Sequence, residues 1–145
     1  MTTHLPHPVD VLVVAIGGYG YYYLQTLLEQ VPPESARLVG IVDPEARQSR
    51  AWDQVCRLGL PVCPTMEAFY GAGGRADLAV IVSPIQWHVP QSIVALQNGS
   101  NVLCDKPLGG SLQEAAALIR TSVFVCASAL IRASAFVRAQ SLVRE

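Results

Sequence analysis

The sequence predicts a doubly wound α/β fold, a parallel sheet covered by helices on both faces. Three observations lead there. Short, continuously apolar runs alternate with longer segments of helical spacing; each run ends in a turn or a polar cluster; and the residues of unusual chemistry gather at those run ends. A strand that is apolar at every position is buried on both faces, as in parallel sheets built from crossover helices.

The elements follow in order. Val9 to Ile16 is the first strand, nearly all aliphatic. Gly17, Gly18 and Gly20 interrupt it, and Tyr21 to Gln30 reads as a helix stopped by Pro32 and Pro33. Leu38 to Val42 is the second strand, ending at Asp43-Pro44, and Glu45 to Leu58 keeps helical spacing through Ala46, Trp52, Val55 and Cys56. A short strand at Pro61 to Cys63 and a small helix at Met66 to Tyr70 come next, closed by Gly71, Gly73 and Gly74. Leu78 to Val82 is a strand ending at Ser83-Pro84; Val89 to Gln97 is helical, with Asn98-Gly99 suited to its C-terminus. Asn101 to Cys104 is a strand ending at Asp105-Lys106-Pro107. Ser111-Leu112-Gln113-Glu114 is a capping box opening a helix to about Arg120, followed by a strand at Val123 to Cys126. Ala129 to Glu145 is apolar on more faces than one amphipathic stripe needs, so it is expected to pack on a partner, most simply a second copy. The expected organisation is a leader over 1–8, one domain over 9–127 and a linking helix over 128–145.

Composition narrows the function classes. The 145 residues suit one domain, and 51% hydrophobic against 14% charged residues excludes a disordered chain. Ten basic and eleven acidic residues give a net charge of −1, with no excess to hold nucleic acid or an anionic membrane. The longest apolar stretch, Val11 to Leu24, falls short of the ~20 residues of a membrane span. The first ten residues carry no Lys or Arg, unlike a secretory signal. Cys56, Cys63, Cys104 and Cys126 match no metal or redox spacing, so they are expected to be reduced thiols in a cytoplasmic protein, with no metal bound.

Right-handed crossovers leave every strand's C-terminal end on one edge, where ligands bind at the switch point. Ala15-Ile16-Gly17-Gly18-Tyr19-Gly20 fits G-x-G-x-x-G with alanine first, which the turn tolerates if φ stays negative there. Gly17 would let the backbone approach a pyrophosphate and Gly20 would let helix pack on strand; the alternative is a tight turn without a ligand. Asp43 stands 23 positions after Gly20, where an acid accepts from a ribose 2′-hydroxyl, or where it simply makes an Asx turn before Pro44. A carboxylate at ~4 Å from a 2′-phosphate would cost about 4 kcal/mol at an effective dielectric of 20, which favours NAD over NADP. Arg47 could offset that by pairing with the phosphate.

Lys106 is the one lysine among ten cations. Its compact ammonium can polarise a carbonyl or pass a proton, which a guanidinium does poorly; a lysine merely retained at the surface is the bland alternative. His88 could face a nicotinamide or cap its helix, and Trp87 is expected to pack. Tyr19, Tyr21, Tyr22 and Tyr23 are expected mostly in the core or an interface, and His4 and His7 in solvent.

Together A-I-G-G-Y-G, L-V-G-I-V-D-P, D-L-A-V-I-V-S-P-I-Q-W-H and N-V-L-C-D-K-P-L resemble the N-terminal domain of the glucose–fructose oxidoreductase and inositol dehydrogenase family (Gfo/Idh/MocA) over about Val9 to Ile119. The resemblance implies a Rossmann-type domain that binds NAD or NADP. It implies Gly17, Gly18, Tyr19 and Gly20 at the pyrophosphate, Asp43 at the adenosine ribose, and Ser83, Pro84 and His88 on the nicotinamide side. It further implies that Lys106 holds a substrate hydroxyl or carbonyl near nicotinamide C4, with Asp105, in place of the family's glutamate, touching the cofactor. Family members carry a C-terminal substrate domain, which is not expected within these 145 residues. Two readings stay open: the cofactor domain of an oxidoreductase acting on a sugar- or polyol-like molecule once a second domain is supplied, or a non-enzymatic dinucleotide-binding module. A methyltransferase would give Ser83-Pro84 and Lys106-Pro107 no job.

Overall fold

The computed structural model describes residues 7–119 and 124–126. Six strands form one sheet: β1 (Val9–Val14), β2 (Ala36–Val42), β3 (Val62–Cys63), β4 (Leu78–Ile81), β5 (Asn101–Cys104) and β6 (Phe124–Cys126). Their order is β3-β2-β1-β4-β5-β6 and every pairing is parallel. The chain winds from β1 outward through β2 and β3, then returns to the other side of β1 to lay down β4 to β6. That reversal places a switch point between β1 and β4.

Five helices cross between the strands: α1 (Gly18–Glu29), α2 (Trp52–Leu58), α3 (Met66–Gly71), α4 (Ile85–Gln97) and α5 (Leu112–Ile119). Successive residues of β1 serve opposite cores because strand side chains alternate. Val11 and Val13 pack with Leu24 of α1 and Val55 of α2, whereas Leu12 and Val14 pack with Phe69 of α3 and Ala95 of α4. Burial of both faces is why these strands carry no polar alternation.

Several boundaries differ from the sequence reading. β1 ends at Val14, two residues early, because Ala15 turns the chain with φ of 68°. The helix expected over 45–58 is split into a 3-10 turn at Ala46–Gln48 and α2, with extended Ser49 between them. The Ser49 hydroxyl accepts from the Ala51 N–H and donates to the Ile16 carbonyl, which competes with helical bonding. α4 starts at Ile85 rather than Val89, with Pro90 inside it. Pro90 is the sixth helical residue, past the turn whose N–H groups lack intrahelical partners, so α4 forgoes the one N–H that would bond the Gln86 carbonyl. The capping box forms: Ser111 Oγ accepts from the Glu114 N–H at 3.2 Å, and the Glu114 carboxylate reaches back one residue further than the motif expects, to the Gly110 N–H.

Among the aromatics the tyrosines divide between core and surface, and the expectation for Trp87 is corrected. Tyr19 is 73% exposed and Tyr22 is also exposed; Tyr21 and Tyr23 alone pack against the core. Trp87 is 53% exposed rather than packed. All three exposed rings lie near the N-terminal ends of α1 and α4. No helix among the described residues is long and apolar enough to cross a membrane. The C-terminal helix expected over 129–145, most of the leader and His4 lie outside the described residues.

Candidate functional site

The turn from β1 into α1 is built by three hydrogen bonds and three glycines. Ala15 donates its N–H to the Val42 carbonyl at 2.8 Å, Ile16 donates to Asp43 Oδ2 at 2.9 Å, and the Ile16 carbonyl accepts from the Ser49 hydroxyl at 2.8 Å. These bonds hold Ala15 in the left-handed region; the expected negative φ at this position is not what the turn adopts. An L-residue there is strained by its Cβ against the following carbonyl. Gly18 takes φ of 48° without that strain.

Gly20 is needed for contact. A methyl group on it would overlap the Ala15 carbonyl oxygen and lie 2.8 Å from the Ala15 carbonyl carbon, so backbone meets backbone there. Gly17 and Gly18 are the reverse: a Cβ on either would meet nothing within 4 Å. The first turn of α1 therefore opens onto free space, with no acidic residue in it and no side chain capping it. Unshielded N–H groups and the positive end of the helix dipole suit an anion such as a pyrophosphate.

Asp43 closes this half of the site. Its Oδ2 accepts from Ile16 and its Oδ1 from the Glu45 N–H at 2.8 Å, so the carboxylate pins the glycine turn and shapes its own loop. Each oxygen keeps a second lone pair for a hydroxyl. The neighbouring arginines are parked on rings: the Arg50 guanidinium lies 3.7 Å over Tyr21, and that of Arg47 5.9 Å from Trp52. Sequence reasoning missed Ser49. The signal available was the break in apolar spacing between Ala46 and Trp52, where a serine can turn the chain.

The other half is made by the exits of β4 and β5. Ser83, buried, donates its hydroxyl to Gln91 Oε1 of α4 at 2.5 Å, and Pro84 is the exposed N-cap of α4. His88 is buried, with Nε2 2.6 Å from the Ser83 carbonyl and Nδ1 2.8 Å from the Pro107 carbonyl. Both ring nitrogens are thus occupied by main chain, and in this arrangement the ring reaches a ligand only through the loops it holds. The Asp105 N–H bonds the Ile81 carbonyl at 2.9 Å, and Asp105 Oδ1 accepts from the Lys106 N–H at 2.9 Å. Lys106 stands exposed beside a cis peptide to Pro107.

Because all the strands are parallel, the glycine turn, Asp43, Ser83 and Lys106 lie along one sheet edge. Asp43 links the exits of β1 and β2, and His88 links those of β4 and β5. The switch point runs between these two braced halves. Among the described residues no cluster of three His, Cys, Asp or Glu side chains could hold a metal.

Comparison with known proteins meets this geometry. The family model described as an oxidoreductase family with an NAD-binding Rossmann fold matches residues 9–123. The chain is 33% identical over 114 residues to the scyllo-inositol 2-dehydrogenase (NAD(+)) of Bacillus subtilis (strain 168), covering 78% of this chain and 32% of that protein. It is 30% identical over 109 residues to the 2,7-anhydro-N-acetylneuraminate hydratase of Mediterraneibacter gnavus, covering 74% and 27%. The crystal structure of myo-inositol 2-dehydrogenase from Lactobacillus plantarum matches with a TM-score of 0.69 at 20% identity, over 82% of this chain and 36% of that one. The chain spans about a third of the length of these relatives.

Proposed function

We propose, starting from the fact that this chain belongs to the Gfo/Idh/MocA oxidoreductase family with its NAD-binding Rossmann fold, that it is the cofactor-binding part of a dehydrogenase for a sugar- or polyol-like molecule. The observation that carries this reading is the open, unshielded first turn of α1 beside Asp43 at the switch point. Gly17, Gly18, Tyr19 and Gly20 would receive the pyrophosphate and Asp43 the adenosine ribose. The negative carboxylate beside that ribose favours NAD over NADP, with Arg47 and Arg50 held on aromatic rings. When bound, the nicotinamide supplies or accepts the hydride. Ser83, Pro84, Asp105 and, through its loops, His88 would shape the nicotinamide side.

Lys106 would hold the substrate's oxygen. Its exposed ammonium sits on a loop whose backbone is fixed by Asp105 and Ile81, so it can reach into a cleft without moving the main chain. Donating to a hydroxyl or carbonyl oxygen steadies the charge that develops there as hydride leaves or arrives. Hydride transfer needs donor and acceptor about 3–3.5 Å apart, and the described residues supply one wall of such a cleft. We further propose cytoplasmic residence and self-association through 129–145, the latter tested by light scattering.

Fluorescence titration of the purified chain with NADH and NADPH tests the reading. Saturable NADH binding, with a Kd on the order of micromolar and tighter than for NADPH, is expected. Lys106→Met should leave that affinity nearly unchanged while abolishing any turnover of polyols. No saturable NADH binding refutes the cofactor role, and equal loss of binding and turnover in Lys106→Met refutes the role given to the ammonium.

A further inference from the structure

Among the buried titratable groups, His88 is the one that joins two site loops. It sits in the second half-turn of α4, 3% exposed, between the carbonyls of Ser83 and Pro107. A carbonyl oxygen only accepts, so each contact draws on a ring N–H; either tautomer makes one bond, and a doubly protonated ring makes both. Further along the helix, Ser92 donates its hydroxyl to the His88 carbonyl at 2.6 Å, and Gln91 accepts from Ser83. The α4 backbone that carries the ring is therefore fixed from below.

We propose that His88 is a positioning residue, setting the height and direction of the Lys106 loop through the Pro107 carbonyl. The geometry is direct. Pro107 directly follows Lys106, and the Lys106 ammonium has no hydrogen bond or ion pair among the described residues to orient it. Its placement is inherited from the main chain, held on one side by Asp105 bonding Ile81 and on the other by His88. The glycine turn and Asp43 belong to the separate network around Ile16, which His88 does not touch. His88 thus governs the nicotinamide end of the crevice and leaves the adenosine end alone. This inference rests on the dinucleotide reading above.

The test compares NADH with ADP-ribose, which lacks the nicotinamide, on the full chain and on three variants. An asparagine amide nitrogen falls near the place of Nδ1 and a glutamine amide nitrogen near that of Nε2. His88→Asn therefore keeps the Pro107 bond, His88→Gln keeps the Ser83 bond, and His88→Ala keeps neither. In His88→Ala and His88→Gln, NADH affinity should fall about tenfold while ADP-ribose affinity stays within about twofold, the loss expected when one hydrogen-bonded support of a ligand-facing loop is removed. His88→Asn should bind NADH nearly as the parent does. Because Lys106 is the one lysine, reductive 13C-methylation yields a single lysine side-chain resonance. That resonance should respond to NADH in the parent and in His88→Asn, and lose its response in His88→Gln. Melting curves accompany each variant, and if His88→Ala does not fold, the Asn and Gln pair decides. Equal losses for both ligands, equal behaviour of Asn and Gln, or no loss at all overturns the positioning role alone. A parent chain that binds neither ligand overturns the dinucleotide reading and this inference with it.

Discussion

Replacing Ala15 by glycine should stabilise this protein, against the usual direction for an alanine-to-glycine change. Ala15 sits at φ of 68°, where its Cβ crowds the following carbonyl at a cost of about 1–2 kcal/mol. Glycine removes that strain but gives the unfolded chain more freedom, which takes back about 0.4–1 kcal/mol. The net gain is about 0.5–1 kcal/mol, and for a chain of this length that raises Tm by about 2–3 °C. Thermal unfolding followed by circular dichroism, with urea midpoints as a second measure, reads the change. The partner experiment is Gly18→Ala, at φ of 48°, where the sign reverses and the same difference, about 0.5–1 kcal/mol, is lost. The space beside Gly18 is open, so no clash contributes to that loss. NADH affinity should not weaken in Ala15→Gly, because Val42, Asp43 and Ser49 still hold the turn. If Ala15→Gly lowers Tm, the left-handed alanine and the strain argument built on it are wrong.

Gly20→Ala should abolish the folded state or lower Tm by about 10 °C or more, about 3 kcal/mol or more, because the new methyl meets Ala15 backbone that has no rotamer to yield; a mild shift in a melting curve would contradict the close packing. Asp43→Asn should cost about 1–2 kcal/mol even without cofactor, since the amide offers one oxygen where the Ile16 and Glu45 N–H groups need two. An unchanged urea midpoint in that variant would show that the carboxylate does not brace the turn. Tyr70 gives a pH dependence. Burial pushes its hydroxyl above the ordinary 10.0, while the hydrogen bond with Ser100 acts the other way. Above 10 the unfolded chain loses this proton before the folded one does, so stability is full below that pH and falls as pH climbs towards the folded value. Tyr70→Phe should lose about 1 kcal/mol near neutrality, through the bond to Ser100, yet fall less steeply in alkali when urea midpoints are compared.

Much of the placement of the candidate site is legible in the sequence, for a physical reason. In a parallel sheet, every strand's C-terminal end reaches the same edge, so a residue that directly follows an apolar run is placed by periodicity alone. Gly17, Asp43, Ser83 and Lys106 were located that way. The capping box at Ser111 was equally readable, since its partner lies three residues on.

What sequence alone could not supply are the partners brought together by register and crossover. Ser49 reaches Ile16 from 33 positions away, and His88 reaches Pro107 from 19. Nothing local to either residue encodes those distances. The sign of φ at Ala15 is likewise decided by Val42, Asp43 and Ser49 rather than by alanine's own preference, which is negative. The exposure of Tyr19 and Trp87, near the starts of α1 and α4, also depends on how those helices pack against the sheet. Apolar spacing and glycine chemistry thus determined the fold class and the edge on which the candidate residues gather, while the family rested on the resemblance of four motifs. The tertiary structure decided which side chains are free to meet a ligand and which, like His88 and Ser49, are bound to the main chain, because a hydrogen bond is a matter of ångströms that only packed neighbours can set.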